Sequence, residues 1–285
     1  MGIAYDKLKN RPFPALEHAY SQKDTMLYAL GLGLGLDPMD EDQLRFVYED
    51  GLQALPTMAV VLAYPGFWAK EADTGLDWPK ILHGEQWIRL HKPLPASGAM
   101  TGKTRITEIL DKGAGKGALI YSEREIRDKA SGDLYATVGG VSFARGDGGF
   151  GGPAGPQPQP HKLPEHEPDK TYDFKTSPQA ALVYRLSGDM NPLHADPKVA
   201  IGAGFKQPIL HGLCTYGVAG FGVLKLACGG DPARLKSMQV RFTSPVFPGE
   251  TIRTEAWLDG SVVSFRARVV ERDIVVLNNG RAEID

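Results

Sequence analysis

The sequence predicts an α+β protein: a curled antiparallel sheet around a long buried helix, made twice along the chain, with the helix kept only in the C-terminal half. Three observations lead there. First, Ile-Leu-His-Gly occurs at Ile81 and again at Ile209, each followed later by Arg, an apolar residue, two more residues and Pro, so the halves read as diverged copies. Second, the segments after each mark alternate apolar and polar residues between turns, the pattern of antiparallel strands with one covered face. Third, "HGLCTYGVAGFGVLKLACGG" is apolar nearly all round, has Lys225 as its one charge and closes on Gly229 and Gly230. A helix without a polar face is a buried helix, and it supplies the cover that the sheet needs.

Taken in order, the first element is a helix that begins near Lys23 and frays through "ALGLGLGLDP", Ala29 to Pro38. That stretch has GxGxG spacing without the further Gly of a dinucleotide fingerprint, and no strand clearly precedes it. At "ILHGEQWIRLHKPL" His83-Gly84 runs almost directly into the next segment, so the first copy lacks its central helix. Strands are expected at "TGKTRITEIL", "GALIYSEREI" and "DLYATVGGVSFA", completing an N-terminal half of residues 1–145. Residues 146–170 are dense in Gly and Pro and cannot sustain a helix or a ladder, which makes them the linker. The C-terminal half, 171–285, holds a Gly/Pro-built turn, the buried helix from Gly212, and strands at "TIRTEAWL", "SVVSFRARVV" and "IVVLNNGRAEI". Each half is expected to form its own antiparallel sheet.

Bulk properties exclude several classes. The 34 acidic residues nearly cancel the 32 basic ones, for a net charge of −2, so no general field draws in nucleic acid or an anionic bilayer. An anionic ligand must be met locally. Cys214 and Cys228 have neither CxxC nor secreted-framework spacing and share one apolar segment, as reduced core residues would. No stretch reaches the length of a membrane span and the start lacks a signal-peptide core, so a cytoplasmic protein is expected. GxSxG, HExxH and P-loop motifs do not occur.

The segment most like a site is "RLSGDMNPLHADP". Asp189, Asn191 and His194 fall within six positions on backbone that Gly188, Pro192 and Pro197 keep from continuous helix or strand. Asp and Asn beside Pro ordinarily cap turns. Here an imidazole joins them, and a helix start at Gly212 comes shortly after.

"YRLSGDMNPLHADP", "PILHGLCTYGVAG" and "RFTSPVFPGE" together resemble the hydratase-2 group of the MaoC-like superfamily. "ALPTMAVV", "LHGEQ", "LHKPLP", "DKGAGKGA" and "RGDGGFGG" extend the resemblance over nearly the whole chain. It implies a double hot-dog fold, a homodimer, and reversible syn hydration of trans-2-enoyl-CoA to the (3R)-3-hydroxyacyl-CoA in fatty acid or steroid degradation. It implies no metal and no redox cofactor, CoA being part of the substrate.

Hydration of a conjugated thioester needs an activated water, a proton for the neighbouring carbon, and stabilised charge on the carbonyl oxygen. Asp189 is assigned as main base and His194 as water ligand and acid, although sequence leaves open which of the two protonates carbon. Asn191 would fix the water or the His194 tautomer. Gly212 opens the buried helix, where free N–H groups and the helix dipole suit an enolate oxygen. His211 is read as a packed or capping residue. The resemblance further implies ligand contacts at His83 and Gly84, a CoA contact at Lys112 in "DKGAGKGA", with Lys116 as a second cation there, and a ligand-facing Phe242. The missing helix should leave a groove, lined in part by Ala54 to Trp68, for medium, long or sterol side-chain acyl groups. The alternatives are a 3-hydroxyacyl-thioester dehydratase acting on carrier protein, a thioesterase of the same fold, or a non-catalytic acyl-CoA-binding module.

Overall fold

The computed structural model describes residues 2–285. Ten strands form: β1 (Leu16–Tyr20), β2 (Ile81–Leu90), β3 (Gly98–Asp111), β4 (Ala118–Asp128), β5 (Leu134–Ala144), β6 (Lys170–Lys175), β7 (Leu235–Phe242), β8 (Thr251–Asp259), β9 (Val262–Val269) and β10 (Ile274–Ile284). The helices are α1 (Tyr5–Lys9), α2 (Gln22–Leu32), α3 (Glu41–Val47), α4 (Ala180–Tyr184), α5 (Pro197–Gly202) and α6 (Gly212–Ala227). Every strand segment expected from alternation is a strand. The helix expected near Lys23 is α2, capped by Ser21 and Asp24 and stopped by Gly33 at φ 108°.

One expectation is corrected. The halves do not make two sheets but one ten-stranded antiparallel sheet, in the order β1-β3-β4-β5-β2-β7-β10-β9-β8-β6. The seam is β2 against β7, where Glu85 lies opposite Arg241 and Arg89 opposite Ser237. The register that superimposes the two copies, Arg89 on Arg241, also superimposes Glu85 on Ser237, so the seam is a pseudo-two-fold pairing of equivalent strands. Each is the strand that would otherwise leave a bare edge, and pairing them satisfies both. An ion pair between Arg241 and Glu85, 2.9 Å, lies on that seam.

Helix α6 is the cover. Cys214 through Leu224 are all buried, and Phe221 sits edge-on to Phe46 and Phe174 at centroid distances of 6.0 and 5.9 Å. The short 3₁₀ turn Pro56–Val60 is buried beside it. It comes so close to α6 that a Cβ on Gly220 would meet Thr57 Cγ2 at 2.6 Å.

The linker is fastened along its length. Asp111, at the end of β3, accepts hydrogen bonds from the N–H groups of Gly113, Gly149 and Gly151, tying "DKGAGKGA" to "RGDGGFGG". These bonds hold its carboxyl below the usual range. Further on, the His161 carbonyl accepts from Asn279 and the His166 carbonyl from Trp257, so the same segment grips the second half. Its last residue, Lys170, already belongs to β6.

Candidate active site

The turn between α4 and α5 is built by its own side chains. Gly188 takes φ 126°, a region open to glycine. Asp189 Oδ1 accepts from Asn191 N, and Asn191 Oδ1 from Leu193 N, both at 3.1 Å. Asn191 thereby caps the 3₁₀ turn Pro192–His194. The tautomer role expected of Asn191 falls to backbone instead. His194 Nδ1 donates to the Ile209 carbonyl at 2.9 Å, because the carbonyl can only accept, and this leaves Nε2 with the lone pair.

Behind His194 stands His211, its ring stacked at 3.7 Å and 28°. His211 Nε2 donates to the backbone carbonyl of Asp189 at 3.2 Å, while its Nδ1 is enclosed and unpaired. One ligand atom each from Asp189, His194 and His211 lies within 4.8 Å of the others. Burial lowers the His194 pKa. It lowers that of His211 as well, with His194 adding to the effect. Both rings therefore favour the neutral form.

Right beside the imidazoles α6 begins, with His211 at its N-cap position. Cys214 and Thr215 donate to the His211 carbonyl, but among the described residues the N–H groups of Gly212 and Leu213 have no protein acceptor. Both residues line a cavity of about 390 Å³ that Asp189, Asn191 and His194 also line. A Cβ on Gly212 would stand 3.2 Å from the Phe242 ring, so bareness here keeps the helix start close to its neighbour.

From the first half, His83 and Gln86 on β2 reach the same cavity. Gly84 does so only indirectly. The β2–β5 register slips between His83 and Glu85, a bulge at Gly84 that re-aims His83, whose ring meets Phe242 at 4.6 Å. His83 keeps an exposed side chain, and the protein atoms that crowd its ring lower its pKa through lost solvation. Phe242 does not line the cavity; it stands behind Gly212 and His83. Lys112 lies away from it too, on the β3–β4 turn with its Nζ on Gln157 at 2.9 Å, and Lys116 is exposed beside it. Of Ala54 to Trp68, Val60 and the stretch from Tyr64 to Trp68 line the cavity.

Sequence reasoning missed Ile209, whose carbonyl sets the imidazole, and Arg124, a buried guanidinium in the cavity wall. No local signal marks a backbone carbonyl. Arg124 had one: it occupies the inward phase of a strand whose other inward residues are Ala118, Ile120, Ser122 and Ile126.

Two family models match the chain. Residues 18–146 match the MFE-2 hydratase 2 N-terminal domain and residues 160–279 the MaoC like domain. The chain is 39% identical to a protein of Arabidopsis thaliana named peroxisomal enoyl-CoA hydratase 2, over 95% of this chain and 93% of that one. It is 42% identical to 3-hydroxyacyl-thioester dehydratase Y of Mycobacterium tuberculosis, over 93% and 92%. A crystal structure of a MaoC-like dehydratase from Phytophthora capsici superimposes with a TM-score of 0.88 at 38% identity, covering 99% of this chain and 98% of that one.

Proposed function

Because the chain belongs to the hydratase-2 branch of the MaoC-like family, we propose that it adds water reversibly across trans-2-enoyl-CoA to give the (3R)-3-hydroxyacyl-CoA. The observation that carries this reading is the convergence of Asp189 and His194 in one cavity with the free N–H groups of Gly212 and Leu213. A water held between the carboxylate and His194 Nε2 loses its proton to Asp189 as its oxygen bonds to the β-carbon. That one proton passes from Asp189 to His194 Nε2, which delivers it to the α-carbon on the same face while the water's other hydrogen stays on the new hydroxyl, so addition is syn. As the enolate forms, its oxygen meets the amides at the positive end of α6. His211 holds the Asp189 backbone and the His194 ring in place. The chemistry draws on protein groups, with CoA as part of the substrate.

Thioester and CoA divide along the strands. The catalytic groups sit near His83, and Lys112 marks the direction of CoA, its cation answering a phosphate that net charge would not attract. The acyl chain then runs the other way, into space that a second central helix would have filled, which favours medium, long or bulky chains over short ones. A homodimer and a cytoplasmic location complete the reading. The first follows the family pattern, and the second fits two buried free cysteines, although the plant relative's name places that protein in the peroxisome. No helix of the described residues is long and apolar enough to cross a membrane. A second reading, dehydration of a 3-hydroxyacyl thioester, is favoured by the name of the mycobacterial relative and uses the same groups in reverse.

The test is an absorbance assay of trans-2-decenoyl-CoA with chiral analysis of the product. The expected product is (3R). An (S) product, or no hydration by folded protein, overturns the assignment.

A further inference from the structure

One wall of the cavity carries a charge that hydration does not use. Strand β4 turns Ile120, Ser122 and Arg124 toward the cavity, with Arg124 opposite Thr104 on β3 and Val138 on β5. Ile120 shares its ladder level with Ser142, and Ser142 with His83, so the catalytic level is at Ile120. Arg124 is four residues further on, roughly 13 Å along the strand. Past it, Met100, Ile126 and Ala136 are wholly buried, so the cavity ends at this guanidinium.

The surroundings of Arg124 hold it without neutralising it. The residue is 6% exposed. Its stem crosses bare Gly102, where a Cβ would lie 3.3 Å from Arg124 Cδ. One terminal nitrogen donates to the Val60 carbonyl at 2.8 Å, and the Tyr64 ring lies 5.6 Å from the guanidinium carbon. Nε is buried with no partner. Among the described residues no carboxylate stands within ion-pair distance: Glu123, which also borders the cavity, is paired with Arg105, and Glu125 with Arg127. Burial brings its pKa down to about 10, which still leaves it charged at neutral pH. A guanidinium has five N–H donors, and a buried one without an anion is costly to keep. An apolar residue would close an apolar pocket at lower cost.

Resting on the enoyl-CoA reading above, we propose that Arg124 selects acyl chains ending in a carboxylate, which pairs with the guanidinium at the closed end of the cavity. The substrate class is then ω-carboxyacyl-CoA thioesters. The reacting end lies at Asp189 and His194 and the second carboxylate at Arg124, so the two ends of the chain are read separately.

The experiment compares kcat/KM for trans-2-decenoyl-CoA and for its ω-carboxy counterpart, trans-2-decenedioyl-CoA, in wild type, Arg124→Met and Arg124→Lys. The wild type is expected to favour the carboxylate-ended thioester by at least about tenfold, the scale of a charge-assisted pair. Arg124→Met removes that preference and raises the rate on the methyl-ended thioester, whereas Arg124→Lys keeps its sign. A wild type that favours the methyl end or neither overturns the proposal, even if the variants fail to fold. So does a Met variant that slows both thioesters equally, the mark of a residue that only props residues 60–64. Hydration of neither thioester by folded wild type would sink the enoyl-CoA reading and this one with it, whereas methyl-ended turnover alone would leave that reading intact.

Discussion

Ile81–Gly84 and Ile209–Gly212 begin with the same four residues, yet the first continues as strand β2 and the second as helix α6. The next residues decide. Gln86, Ile88 and Leu90 are buried in alternation along an extended segment that finds a ladder partner on each side, β5 and β7. Leu213 onward is apolar without interruption and can only be buried as a helix. The same His-Gly pair then serves one cavity differently in each copy. His83 faces the cavity over a bulge at Gly84. His211 is turned back onto the Asp189 carbonyl, and Gly212 presents an amide with nothing to bond. A shared motif need not mean a shared role, and the chemistry should reside in the copy that kept its helix.

The largest effects should therefore fall in the C-terminal copy. Asp189→Asn and His194→Gln are each expected to lower kcat for trans-2-decenoyl-CoA at least about a hundredfold, the scale of general acid–base groups. His83→Gln should act chiefly on KM; the reverse ranking, measured by steady-state kinetics, would break the comparison. Next, Gly212→Ala pushes a methyl against Phe242 and displaces the free amide, with an expected kcat loss of about tenfold or more. Gly84→Ala, in a bulge, should change KM more than kcat.

The pH response comes third. His194 and His211 have pKa values lowered by burial, so between the folded value and the ordinary histidine value of about 6.5 the unfolded chain binds more protons. Their contribution to stability is thus complete above about pH 6.5 and is lost as pH falls below it. Thermal melts should show Tm dropping on acidification from neutrality, with a shallower slope in His211→Gln. An unchanged slope would mean that His211 titrates normally. The smallest effect is expected at Lys112→Gln: a few-fold rise in KM for the CoA thioester at low salt, and none for a pantetheine thioester lacking the phosphates. Equal KM shifts for both would remove Lys112 from the CoA contact.

Much of this architecture is legible in the chain because it is written in local periodicity. The alternation of "SVVSFRARVV" and the unbroken apolarity after Gly212 each specify an element without reference to anything distant. Asp189, Asn191 and His194 are legible for the same reason, since Pro and Gly confine them to one turn. What escapes is long-range. That β2 pairs with β7 depends on a register that neither strand states alone. That Asp111 gathers amides from two glycine-rich loops, and that Ile209 sets the His194 tautomer, depends on backbone groups that every residue carries.

The β2–β7 seam carries one more implication. In an assembly of two identical subunits, a mutation that hollowed out one active-site wall would hollow out the other, and the free amides at the start of α6 would disappear with the helix. Joining both copies in a single polypeptide removes that constraint. One copy can give up its core to admit a guest while its sibling keeps the machinery, and a change in guest preference need not touch the reacting groups at all.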